Sequence, residues 1–279
     1  MKCLFAIISA SIALTAAAKG QAPHAETMKN IPYATNSHPR QTLDLYLPEG
    51  AWSQPVPLIV WIHGGAWKLG TKDWINVKHL VHEGYAIASI DYRMSGDAPF
   101  PAQIQDCNSA LNFLLENAGR YGLDKNRVFI GGASAGGHLA LMLGLARDEK
   151  EFNADPGFRP RAILDFFGPS DMVAFPPGED ITRLLGASAS ESPDKAMRAS
   201  PLTYVSKSSA PVLILHGDQD ESVPLQQSRA LDAAMRKAGA GSELLIIKGA
   251  PHDGPLFETP DVQKRVIAFL NENTGLRAR

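Results

Sequence analysis

The sequence predicts a single α/β domain built on a mostly parallel central sheet with helices on both faces. Three observations carry this prediction. Short, continuous apolar runs recur along the chain, as in strands buried on both faces. Segments with helical spacing separate these runs, which favours a parallel sheet. The 279 residues contain no internal repeat and no linker-like stretch, and single α/β domains commonly run to roughly 200–250 residues.

Taken in order, the elements read as follows. Residues 19–40 are polar and irregular and are expected to be a loosely held N-terminal segment, with the folded domain spanning 41–279. "TLDLYL" (42–47) alternates apolar and polar residues like a half-buried strand. "PLIVWIH" (57–63), "AIASIDY" (86–92), "RVFIGG" (127–132), "RAILDFF" (161–167), "PVLILHG" (211–217) and "ELLIIKG" (243–249) are the buried-strand runs. Between them, residues 101–122 place Ile104, Cys107, Ala110, Leu111 and Leu114 on one helical face. Further helices are expected over 134–148, 224–239 and 260–275. Residues 168–210, rich in Pro, Ser and Ala, read as an irregular excursion between two strands, of the kind that covers or shapes a site.

Composition sets limits on function. Apolar residues make up 44 % of the chain, charged residues 20 %, and the formal charge is −2, which describes an ordinary globular protein and not a disordered one. No basic patch or stripe marks a nucleic-acid footprint. Met1-Lys2 followed by "CLFAIISASIALTAAA" resembles a secretory signal peptide over residues 1–18, with Ala16-Ala17-Ala18 as the cleavage site. The mature protein is then expected to be secreted or periplasmic, without stable membrane insertion. Cys3 leaves with the peptide, so Cys107 is alone and no internal disulfide forms.

The chemistry centres on "VFIGGASAGGHLALMLG" (128–144), where a buried strand meets a helix. A phosphate-binding loop would need a Lys after its glycines, and a dinucleotide fingerprint would need different spacing. Gly132-Ala133-Ser134-Ala135-Gly136 instead matches Gly-x-Ser-x-Gly, a strained strand-to-helix turn that exposes a serine nucleophile. Gly132 and Gly136 flank that turn where side chains would collide. The helix N-terminus favours negative charge developing at Ser134.

A serine hydroxyl needs a base to accept its proton, and the base needs a carboxylate to orient it. With His138 set aside as a helix residue, His216 and His252 are the histidines that follow Ser134. His216 ends a strand and reads as a loop support, whereas His252 lies in a loop between the last strand and the last helix and is assigned as the base. Asp220 in "LHGDQDESVP" is the assigned acid, with Asp218 as the alternative. Donors for an oxyanion are assigned to the Ala135 amide and, in "VWIHGGAWKLG" (60–70), to Gly65 and Ala66, with Gly64 a further candidate. His63 reads as a brace for that loop, and Trp67 as either a core anchor or a substrate-binding pocket wall. "HLVHE" (79–83) matches neither orientation of the zinc-protease helix motif, and no metal site is expected.

"HGGAW", "DYRMSGDAPFPAQIQDCNSALNFL", "GGASAGGHLA", "HGDQDESVP" and "PHD" together resemble the ordered motifs of α/β-hydrolase fold serine esterases. The likeness runs from about residue 40 to the C-terminus. It is strongest to hormone-sensitive-lipase-like carboxylesterases and to bacterial acetyl xylan and feruloyl esterases. The resemblance implies an α/β-hydrolase fold, places Ser134, Asp220 and His252 on the triad positions, and implies no cofactor. Ala66 stands where the lipase-like motif has its third glycine, and little chain precedes residue 42 for an N-terminal cap. Both departures favour the compact carbohydrate-esterase-like branch, acting on small-molecule or polysaccharide esters. "HGGAW" also resembles the motif of kynurenine formamidases, so a formamide hydrolase is the second enzymatic reading. An inactive hydrolase fold used for binding is the third.

Overall fold

The structure, a computed structural model, describes residues 27–35, 38–50 and 52–274. The signal-peptide reading of residues 1–18 lies outside the described residues. Among the described residues, eight strands form one sheet in the order β1-β2-β4-β3-β5-β6-β7-β8. They are β1 (Thr27–Pro32), β2 (Thr42–Tyr46), β3 (Val56–Ile62), β4 (Ala86–Ile90), β5 (Leu123–Ala133), β6 (Ile163–Phe166), β7 (Val212–Gly217) and β8 (Ser242–Ile247). β1 and β2 run antiparallel at one edge, and every pairing from β4 to β8 is parallel. The helices are α1 (Ala102–Glu116), α2 (Ala118–Tyr121), α3 (Ala135–Leu145), α4 (Glu179–Leu185), α5 (Pro193–Arg198), α6 (Gln226–Ala238) and α7 (Pro260–Asn273). No helix of the described residues is long and apolar enough to cross a membrane.

The continuous apolar runs are explained by two cores, one on each face of the sheet. Along β3, Leu58, Val60 and Ile62 join the core under α1, α3 and α6, while Ile59 and Trp61 join the core under α7. Successive side chains of a strand point to opposite faces, so a strand covered twice must be apolar at every position.

The structure corrects two sequence readings. Residues 27–32, placed by sequence in an irregular segment, form edge strand β1. Its residues are mostly exposed, so it lacks the apolar alternation that announces a strand, and long-range pairing supplies what the pattern does not. Lys29 Nζ lies 2.7 Å from Asp44 Oδ2 on β2, and Met28 and Ile31 pack on the core. The excursion over 168–210 also contains α4, α5 and a 3₁₀ turn at Pro201–Tyr204. Helices of six or seven residues are marginal alone. Here Ile181, Leu184, Leu185 and Ala196 are buried, so tertiary packing holds them.

The topology also locates a crevice. From β3 the chain moves to β4 on one side, then returns to β5 on the other, so the order reverses between β3 and β5. Loops leaving the carboxyl ends of strands at such a reversal diverge and leave a cleft. The register Ile62↔Gly132 places the loop after β3 beside the turn after β5.

Candidate active site

Ser134 sits on that turn with φ 55° and ψ −121°, a backbone conformation that non-glycine residues hold only under constraint. The constraint is visible. Ser134 N donates to Phe166 O at 2.8 Å, and Ser134 O accepts from His138 N at 3.0 Å. A Cβ on Gly132 would lie 2.8 Å from Ile62 O and collide with Gly136 O, and one on Gly136 would lie 2.5 Å from His63 O. The flanking glycines therefore have the steric role that the sequence pattern predicts. Gly137 and Gly144 are packing positions against Asp165 and Ile163 of β6.

The structure brings Ser134, His252 and Asp220 into one hydrogen-bonded series. Ser134 Oγ lies 2.8 Å from His252 Nε2, and His252 Nδ1 lies 2.8 Å from Asp220 Oδ2. An ionised carboxylate only accepts, so the His252 proton is on Nδ1 and Nε2 is free to accept from the serine hydroxyl. The His252 ring packs against Phe167, with centroids 4.7 Å apart. Phe167 itself holds φ 46° at the end of β6, and the sequence reading assigned it no part in the site.

Asp220 is itself held by its own turn. Its Oδ1 accepts from the amides of Ser222 and Val223, both at 2.8 Å. Burial of its side chain works to raise its pKa, but hydrogen bonds from His216, His252 and the Val223 amide, with the charge of His252, hold it well below the usual carboxylate range. Asp218, the alternative acid, does not reach His252. Its Oδ1 accepts from Gly249 N at 2.6 Å and ties the ends of β7 and β8 together. His216 supports the acid loop, with Nε2 2.9 Å from Val223 O and Nδ1 2.7 Å from Ser228 Oγ.

The loop after β3 passes directly over Ser134: a Cβ on Gly64 would lie 3.3 Å from Ser134 Cβ. Gly65, Ala66 and Trp67 have φ of 113°, 50° and 57°, three left-handed residues in succession. The turn is braced by Lys68 N and Leu69 N donating to Gly65 O, both at 3.0 Å. Among the described residues, no protein acceptor receives the amides of Gly65, Ala66 or Ala135. His63 braces the loop from below, stacked on Tyr92 at 4.7 Å with Nε2 3.0 Å from Asp91 Oδ1.

A cavity of about 500 Å³ opens over Ser134 and His252. Trp67, Trp74, Phe175 and Ile181 are among the residues that line it, and the Lys68 Nζ–Asp180 Oδ1 ion pair, 2.5 Å, joins the loop after β3 to α4. Trp67 is both of the things the sequence left open: it is 3 % exposed, belongs to the core under α3, and still faces the cavity. Among the described residues no group of three or more His, Cys, Asp or Glu side chains is arranged to hold a metal ion.

Fold and site together define an α/β-hydrolase-fold protein with a serine, histidine and carboxylate aligned at the carboxyl edge of its sheet. Residues 43–235 match the BD-FAE family, and the chain belongs to that family. Over 282 residues it is 29 % identical to esterase LipQ of Mycobacterium tuberculosis, covering 90 % of this chain and 66 % of LipQ. It is 28 % identical over 252 residues to a probable isoprenylcysteine alpha-carbonyl methylesterase of Oryza sativa subsp. japonica, covering 84 % of this chain and 60 % of that one. The chain thus spans less than two thirds of the length of these curated relatives. A truncated carbohydrate esterase from gut microbiota superposes with a TM-score of 0.84 at 28 % identity, covering 92 % of this chain and all of that one.

Proposed function

We propose that this protein is an exported serine carboxylic-ester hydrolase acting on short-acyl or aryl esters, including acetyl or feruloyl groups on plant polysaccharide. The observation that carries the reading is the Ser134–His252–Asp220 series, with 2.8 Å at each step, beneath a cavity of about 500 Å³. Ser134 Oγ attacks the ester carbonyl while His252 Nε2 takes its proton. Asp220 holds the tautomer and stabilises the imidazolium that forms. The carbonyl oxygen, now negative, is received by the amides of Gly65, Ala66 and Ala135, each donor typically worth ~10²–10³ in rate. His252 then gives the proton to the departing alkoxide, leaving an acyl-serine. Water, deprotonated by His252, attacks that acyl group, and the proton returns to Ser134 as the acid leaves.

Trp67 and the Lys68–Asp180 pair bound the cavity, which supports a short acyl group. Trp74, 48 % exposed at the lining, offers an aromatic face to an aryl or glycosyl partner. The likeness to a carbohydrate esterase supports the polysaccharide arm, and the signal-like residues 1–18 support export.

The test pairs a variant with a panel. Ser134→Ala is expected to lose hydrolysis of p-nitrophenyl acetate and labelling by a fluorophosphonate, and wild-type rates in that variant would refute the reading. Across acetylated xylan, methyl ferulate and p-nitrophenyl esters of rising acyl length, rates are expected to fall sharply beyond butyrate. A mature N-terminus at Lys19 in exported protein would agree with the signal reading, and full-length protein retained in the cytoplasm would oppose it.

A further inference from the structure

His138 lies one helical turn beyond Ser134 on α3 and is wholly buried. Both of its ring nitrogens are engaged. Nδ1 lies 3.1 Å from Trp67 Nε1, and Nε2 lies 2.7 Å from Ala199 O. An indole N–H only donates and a carbonyl only accepts, so Nδ1 is bare and Nε2 carries the proton. Burial pushes the imidazole pKa down to about 4, outweighing the hydrogen bond to Ala199, and keeps the ring neutral at ordinary pH. The two rings meet edge to face, with centroids 5.3 Å apart at 88°. One imidazole thus joins three segments: the loop after β3, α3, and the residue following α5.

The indole it holds belongs to a strained turn. Ala66 and Trp67 are both left-handed, and non-glycine residues persist there only when their surroundings over-determine them. Trp67 O accepts from Ser95 N at 2.7 Å, which fixes the backbone at one end. The bond to His138 fixes the side chain at the other. A Trp67 indole free to turn would let the preceding amides of Ala66 and Gly65 drift.

We propose that His138 is a positioning residue for the ester-hydrolysing site, setting through Trp67 the turn that presents the Gly65 and Ala66 amides. The inference rests on the serine-hydrolase reading above. Oxyanion donors act on charge that exists only in the transition state, so misplacing them lowers kcat with little change in KM.

The experiment is a double-mutant cycle on p-nitrophenyl acetate hydrolysis, together with an NMR reading of the Trp67 indole N–H. Trp67→Phe keeps most of the ring volume and removes the donor, while His138→Leu removes the acceptor. Misplacement on the ångström scale can cost up to ~10²-fold, so each variant is expected to lower kcat about 10-fold and to leave KM within about 2-fold. The double variant is expected to match the singles, because contacting residues that act as a unit are not additive. His138→Asn, whose amide oxygen can take the Nδ1 position, is expected to retain more activity than His138→Gln, whose longer side chain carries its amide out to the Nε2 position toward Ala199. The indole resonance, identified by its loss in Trp67→Phe, is expected to exchange slowly in wild type and in Ser134→Ala, and rapidly in His138→Leu.

A double variant about 100-fold down, or a folded Trp67→Phe with wild-type kcat, would overturn the proposal. So would His138→Gln outperforming His138→Asn. If His138→Leu does not fold, the Asn and Gln variants carry the comparison. Activity surviving in Ser134→Ala would instead refute the hydrolase reading, and the indole exchange would still decide the anchoring.

Discussion

Asp220→Asn is the most discriminating change at the site, because it preserves shape while removing the carboxylate charge and changing which atoms donate. In the structure Oδ1 of Asp220 accepts from two backbone amides, Ser222 N and Val223 N, both at 2.8 Å. Asn can keep those two bonds only by leaving its carbonyl oxygen there. Its NH₂ group must then face His252 Nδ1, 2.8 Å away, and His216 Nε2, 3.1 Å away. Two donors cannot share one hydrogen bond, so His252 moves its proton to Nε2, which then points a donor at Ser134 Oγ and cannot accept from it. The opposite flip places NH₂ against the two amides, which leaves buried donors unsatisfied at ~1–3 kcal/mol each. The orientation that keeps both amide bonds also sets the NH₂ against His216 Nε2, and it is the one that, on the proposed mechanism, takes the proton acceptor away from Ser134. In the serine-protease template the same loss is ~10⁴ in kcat, about 5.5 kcal/mol of transition-state stabilisation. The assay is kcat for p-nitrophenyl acetate, with ¹⁵N NMR of the imidazole to read the tautomer and circular dichroism to show an intact fold. A folded Asp220→Asn enzyme within about tenfold of wild type would refute the assignment of Asp220 as the orienting acid, since this tautomer argument demands a loss near ~10⁴.

Two further predictions concern stability. Asp165 on β6 is fully buried, with Oδ1 accepting from Gly168 N at 2.9 Å and Oδ2 without a partner. Burial pushes its pKa from an ordinary 3.8 up to about 7, so the folded carboxyl stays protonated where the unfolded one ionises, and stability falls as pH rises between those values. That rise corresponds to roughly 4 kcal/mol, and Asp165→Asn is expected to melt above wild type at pH 8 with the gain vanishing near pH 4. Equal melting differences at both pH values would show that the carboxyl is not protonated in the native state. At the strained turn, Ser134→Gly is expected, on the proposed mechanism, to abolish hydrolysis yet raise stability by about 1 kcal/mol or more, because glycine accepts φ 55° without strain. Thermal melting that shows the glycine variant less stable than Ser134→Ala would deny that the turn stores strain.

What the sequence determined by itself is local or ordered along the chain. The steric demand of the turn is written in Gly132, Ser134 and Gly136, because backbone crowding within five residues needs no knowledge of distant neighbours. The buried strands announce themselves because a strand covered on both faces must be apolar throughout. His252 follows from its place between the last strand and the last helix. Tertiary structure decided the rest. The letters favour Asp220 over Asp218 only by position along the loop, and the path of the turn is what sends one carboxylate to His252 and the other to Gly249. β1 forms because β2 offers it an edge, not because residues 27–32 carry a strand pattern. His138 reads in sequence as one more residue on an apolar helix, and its bond to Trp67, 71 residues away in the chain, exists only once the loop after β3 lies across α3. Asp165 likewise looks like an ordinary acid until burial takes water from it. Local sterics and apolar pattern act over a few residues and survive in a string of letters. Hydrogen-bond partners and desolvation depend on what packs against what, so they appear only when the chain has closed on itself.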